Sequence, residues 1–107
     1  MSEIILDDKN FEAEVLASDV PVLVDFYAVW CGPCKIQGPM IDELAEEMKD
    51  QKVKIAKLDV DKAPEFSQKY EIMSVPTLII FKGGQIVERM TGMRTKEELK
   101  EKLEKLI

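Results

Sequence analysis

Cys31 and Cys34 are the chain's two cysteines, two residues apart in Trp30-Cys31-Gly32-Pro33-Cys34-Lys35. A thiol pair at that spacing suits reversible dithiol–disulfide exchange. It follows the apolar run Val22 to Val29 and precedes a helical pattern, which sets it at the opening turn of a helix. Free backbone N–H groups and the helix dipole favour negative charge there, and so the thiolate that attacks disulfides. Two plainer readings compete. A closed zinc site needs four ligands, and the chain offers neither a second cysteine pair nor a histidine. A structural disulfide gains most by closing a long loop, whereas this one spans only Cys31 to Cys34. The lack of histidine also excludes Ser/His and Cys/His nucleophile pairs.

Asp25 interrupts the apolar run between Val24 and Phe26. Carboxylates are rarely buried, and burial should raise the pKa of this one; the plainer reading is a solvated strand face. Lys57, in Lys54-Ile55-Ala56-Lys57-Leu58, reads equally well as a surface lysine. Met73 and Met93 are adaptable, polarizable side chains that either contact varied partners or fill gaps.

The elements that must position these groups alternate along the chain. Ile4 to Leu6 is a short strand, and Asp7 or Asp8 can cap a helix carrying Phe11, Val15 and Leu16. Val22 to Val29 is apolar enough for a central strand covered on both faces. From Pro33 to about Lys49, Ile36, Met40, Ile41, Leu44 and Met48 recur at helical spacing, with Pro39 inside. Val53 to Val60 is a strand, Ala63 to Tyr70 a short helix, and Thr77 to Thr91 a hairpin turning at Gly83-Gly84. A last helix opens at Thr95-x-x-Glu98, buries Leu99, Leu103 and Leu106, and pairs Glu98 with Lys102 and Glu101 with Lys105. The order β-α-β-α-β-α-β-β-α implies a mixed sheet with helices on both faces.

At 107 residues the chain is one domain of ordinary size, and its 46% hydrophobic content suits a folded protein with one core. A net charge of −6 offers no basic footprint for nucleic acid or an anionic membrane. Acidic residues follow Met1 at once and every apolar run is short, so the expectation is a cytoplasmic protein without leader or membrane span.

With Trp30 to Lys35 set between an apolar, Asp-containing strand and a long helix, the chain resembles the thioredoxin family. The likeness runs essentially end to end, through Val24-Asp25-Phe26, Pro39, Ala56-Lys57-Leu58, Val75-Pro76-Thr77, Phe81-Lys82-Gly83-Gly84 and Thr91-Gly92. It implies an α/β thioredoxin fold: a central mixed five-stranded sheet flanked by four helices, in a single domain over residues 1–107. It also implies a general protein disulfide reductase. Cys31, at the exposed tip of the turn, attacks a target disulfide, and Cys34, one turn deeper and shielded, resolves the mixed disulfide. Asp25 would serve as acid or base for Cys34 through water, with Lys57 modulating its charge. Only about 5–6% of X–Pro bonds are cis, yet the resemblance implies a cis Val75–Pro76 bond beside the cysteines. Trp30, Gly32, Pro33, Val75, Pro76, Gly92 and Met93 would contact substrate. Tyr27 stands where the family more often has tryptophan, Gln37 and Gly38 where apolar or small residues are usual, and Met93 follows the glycine. These departures bear on packing and partner choice rather than on the sulfurs.

Were Cys31 to ionise near pH 7, as in thioredoxins, its thiolate fraction would rise from about 3% to half. Lower intrinsic nucleophilicity leaves about a threefold net gain, so positioning matters more than ionisation. No Gly-x-Gly-x-x-Gly run exists to hold a nicotinamide or flavin. Electrons must therefore come from a separate protein, by resemblance a thioredoxin reductase, with no cofactor or metal on this chain. The partners expected are that reductase and disulfide-containing proteins, met by a monomer. Two alternatives stay open: a glutaredoxin-like protein using glutathione, and a binding module whose cysteines are incidental.

Overall fold

The apolar run between Pro21 and Ala28 becomes β2 (Val22–Tyr27), the middle strand of a five-stranded sheet ordered β1-β3-β2-β4-β5. This computed structural model describes residues 3–107; Met1 and Ser2, part of the expected domain, lie outside the described residues. β1 (Ile4–Leu6) and β2 each pair in parallel with β3 (Lys54–Asp59), while β4 (Thr77–Lys82) runs antiparallel to β2 and to β5 (Gln85–Thr91). Parallel neighbours need crossovers, and helices at Glu12–Leu16 and Gly32–Glu47 supply them. A helix at Pro64–Lys69 leads toward β4, and one at Lys96–Glu104 follows β5. The mixed sheet with four helices is the expected architecture. The first helix is wound with π geometry, the Ala17 N–H donating to the Glu12 carbonyl. At the hairpin turn Gly83 and Gly84 have φ of 61° and 78°, which other residues seldom adopt.

Because strand side chains alternate between faces, β2 feeds two cores. Val22, Val24 and Phe26 join Phe11, Phe66 and Phe81 beneath the Glu12–Leu16 and Pro64–Lys69 helices. Leu23 joins Ile41, Leu44, Leu78, Leu99 and Leu103 beneath the long helix and the last one. Asp25, two residues on from Leu23, therefore faces the long helix that carries both cysteines.

Two expectations about helix faces need correction. The long helix buries Cys34, Gln37, Ile41, Leu44 and Ala45, and leaves Ile36 exposed. Stepping back from Leu44 by three, then four, then three residues reaches Ile41, Gln37 and Cys34, so helical phase overrode side-chain polarity. On the last helix the Thr95 hydroxyl accepts the Glu98 N–H at 3.1 Å, as its sequence suggests. Glu98 then pairs with Arg94 and Lys102 with Glu88 of β5, each at 3.5 Å, rather than with each other. Glu101 and Lys105 do pair, at 3.5 Å.

Candidate active site

The chain leaves β2 through Ala28, Val29 and Trp30 and enters the long helix at Gly32, with Cys31 as N-cap. Cys31 keeps an extended backbone (φ −88°, ψ 117°), and its sulfur accepts the Cys34 N–H at 3.2 Å. That bond satisfies one of the helix's unpaired donors and aims positive potential at the sulfur that must become anionic. No acidic residue in the first turn opposes it. Cys31 and Cys34 are joined as a disulfide, with Cα atoms 5.3 Å apart.

The expected contrast between an exposed Cys31 and a shielded Cys34 is not found in this disulfide state: the residues are 5% and 6% exposed. The bond draws both sulfurs against Ala28, with Tyr27, Val60 and Val75 packed around them. Their surroundings still differ. Cys31 sits among exposed Val29, Trp30, Gly32 and Pro33. Cys34 instead lines a cleft of about 310 Å³ shared with Asp25, Lys57 and Asp42.

Asp25 is only 1% exposed, and neither carboxylate oxygen has a hydrogen-bond partner among the described residues. Burial raises its pKa from 3.8 to about 7, with the Lys57 cation opposing and the Asp42 carboxylate reinforcing the rise. A carboxyl near pH 7 can both take and return a proton in neutral solution. Lys57 lies opposite Asp25 in the parallel β2–β3 register and lines the same cleft, but its ammonium meets Asp42 at 2.8 Å. It is thus a partly buried member of the cleft rather than a plain surface lysine. Gly38 lies alongside it, where a Cβ would make only an ordinary 3.6 Å contact with the Lys57 nitrogen. Tyr27 lines the cleft too, its phenol pKa raised chiefly by burial and next by Asp59.

A second segment closes over the disulfide. The Val75–Pro76 bond is cis, matching the expectation, and the Val75 carbonyl oxygen lies 3.5 Å from Cys31 Sγ. The Thr77 hydroxyl donates to the Ser74 carbonyl at 2.7 Å, and the Gly92 N–H donates to the Pro76 carbonyl at 2.9 Å. Val75 thus packs against the cysteines, and Gly92 is tied to Pro76, the residue after Val75. Trp30, Met73 and Met93 are exposed, Met73 the most at 91%. Pro76, expected on the apolar collar, is buried beneath it.

Three participants escaped the sequence reading. Asp42 pairs with Lys57. Asp61 accepts the Trp30 indole N–H at 2.9 Å and so fixes the ring at the rim. Arg94 bonds through its backbone to Gln37. Asp61 alone left a trace, because Asp59-Val60-Asp61 follows a strand whose carboxyl end must lie beside that of β2.

A family model described as Thioredoxin matches residues 2–105. Thioredoxin 1 of Nostoc sp. is 49% identical over 98 residues, covering 92% of this chain and 91% of that protein. The thioredoxin of Alicyclobacillus acidocaldarius gives the same figures: 49% over 98 residues, 92% and 91%. A bifunctional thioredoxin reductase/thioredoxin of Mycobacterium leprae is 49% identical over 92 residues, 86% of this chain but 20% of that protein.

Proposed function

This chain belongs to the thioredoxin family and is a dithiol–disulfide oxidoreductase, and on that premise we propose that it acts as a general protein disulfide reductase in the cytoplasm. Residues 3–107 act as one domain in this reading, working as a monomer. The observation that carries the reading is the juxtaposition of a helix-capping Cys31 with a Cys34 that opens onto the buried, proton-holding Asp25.

The reduced form starts the cycle. The Cys31 thiolate attacks one sulfur of a target disulfide, forming a mixed disulfide and releasing the other sulfur as a thiolate. Asp25, ionised, takes the Cys34 proton through water, for which the 310 Å³ cleft has room. The Cys34 thiolate then attacks Cys31 Sγ, and the second target sulfur leaves. Two electrons have passed to the target, whose two released thiolates take protons from water; the Cys34 proton stays on Asp25, and the Cys31–Cys34 disulfide remains. On re-reduction Asp25 returns its proton to Cys34, and Lys57 modulates the charge. Trp30, Gly32, Pro33, Val75, Gly92 and Met93 receive the substrate, with Pro76 buried beneath them; the Val75 backbone suits an extended strand, and Gly92 permits close approach.

Re-reduction falls to a separate thioredoxin reductase. In its support, one relative's name joins thioredoxin reductase and thioredoxin in a single protein. A cytoplasmic setting fits a chain whose two cysteines are both spent on exchange chemistry. No helix among the described residues is long and apolar enough to cross a membrane. The test is reduction of a protein disulfide, driven first by dithiothreitol and then by a thioredoxin reductase with its nicotinamide, comparing wild type with Cys31→Ser. Turnover that needs Cys31 in both assays is expected. Turnover that survives Cys31→Ser, or that requires glutathione, would overturn the assignment.

A further inference from the structure

Gln37 is the one fully buried amide on the long helix, at 0% exposure, one turn beyond Cys34. Both ends of its side chain are used. Its Nε2 donates to the Arg94 carbonyl at 3.0 Å, and its Oε1 accepts the Arg94 N–H at 2.8 Å. A primary amide closed on one residue's N–H and C=O reproduces the pairing of two strands, with the helix in place of one of them. The Arg94 guanidinium holds the same stretch from outside, donating to the Thr91 and Met93 carbonyls at 3.2 and 2.9 Å. Gly92 is meanwhile tied to Pro76. Three segments of the site thus form one frame: the cysteine helix, the Val75–Pro76 turn, and the Thr91–Arg94 loop.

We propose that Gln37 is a positioning residue for substrate recognition, locking the Gly92–Met93 segment onto the redox helix so that the loop meets a protein substrate already ordered. The proposal deepens the functional reading, since it rests on Gly92 and Met93 contacting substrate. Gln37 touches neither sulfur in this arrangement and lends nothing to the exchange step itself. An apolar residue in its place would fill the volume while leaving the Arg94 N–H and C=O without their partner. The loop would then have to be ordered at each binding event, and that cost falls on affinity rather than on chemistry.

The experiment compares wild type with Gln37→Leu, Gln37→Met and Met93→Asp, using insulin as protein disulfide and dithiobis-nitrobenzoate as small one, together with amide hydrogen exchange at Arg94. Both Gln37 variants should raise KM for insulin about tenfold at an essentially unchanged kcat. They should leave the small disulfide's rate within about twofold and speed Arg94 exchange at least about tenfold. Two variants are used so that failure of one to fold leaves the other to decide. If Met93→Asp raises KM for insulin and the Gln37 variants do not, the clamp is overturned while the substrate surface stands. If Met93→Asp leaves KM unchanged, the surface reading falls and the inference falls with it. Equal losses on both substrates would also overturn the proposal, because they would place the effect on the sulfurs.

Discussion

Replacing Asp25 by asparagine removes a charge and almost no volume, so it isolates what the buried carboxylate costs the fold. Burial raises this pKa from 3.8 to about 7, against the pull of Lys57. At about 1.4 kcal/mol per pH unit, the ionised form costs on the order of 4 kcal/mol relative to the unfolded chain. Because the folded value is the higher one, the native state keeps its proton where the unfolded chain has lost it. Wild-type stability therefore falls as pH rises from about 4 to about 7, and the loss is complete above that window. Asp25→Asn has no such dependence. A neutral carboxyl and an amide carry similar burial costs, so the two proteins should unfold at similar urea concentrations near pH 4. At pH 8 the variant should lead by about 2 M urea, taking a slope of about 2 kcal/mol per M. Its turnover of protein disulfides at neutral pH should fall, because Cys34 loses its proton acceptor. Urea titrations between pH 4 and 9 decide the matter. A constant offset across that range, or a more stable wild type at pH 8, would refute the reasoning.

Lys57→Met removes the strongest influence lowering the Asp25 pKa, so the pH at which turnover depends on Asp25 ionisation should move upward; a pH–rate profile that stays put or shifts down contradicts the electrostatics. Asp61→Asn weakens the bond holding Trp30, and should slow insulin reduction several-fold while stability changes by less than about 1 kcal/mol, read by turnover and thermal unfolding. Alanine at Gly84 must hold a positive φ of 78° with its Cβ 3.0 Å from the Leu16 carbonyl oxygen, whereas alanine at Gly83 meets nothing within 4 Å. Gly84→Ala should therefore cost about 2–3 kcal/mol and Gly83→Ala about 1 kcal/mol, measured by denaturant unfolding.

Element order was legible because each segment carried its own period and its own stops. The apolar run from Val22, the Gly83-Gly84 turn and the Thr95 cap all became the elements they suggest. The redox pair was legible because two cysteines at close spacing, with no third ligand, leave little other chemistry. Polarity misled at Ile36 and Gln37, where helical phase buried the amide because Arg94, 57 residues away, could satisfy it. Asp42 and Asp61 act on Lys57 and Trp30 through contacts that only the folded chain creates. The similar burial of Cys31 and Cys34 likewise follows from packing against Ala28 and Val75, which residue spacing does not encode.

The division of labour between the two sulfurs is most directly read by limited alkylation of the reduced protein near pH 7, followed by mass analysis of the modified peptides. A helix-capping thiolate flanked by exposed Val29, Trp30, Gly32 and Pro33, with its partner facing the Asp25 cleft, predicts that Cys31 reacts at least about tenfold faster than Cys34. Equal rates, or faster labelling of Cys34, would contradict the account.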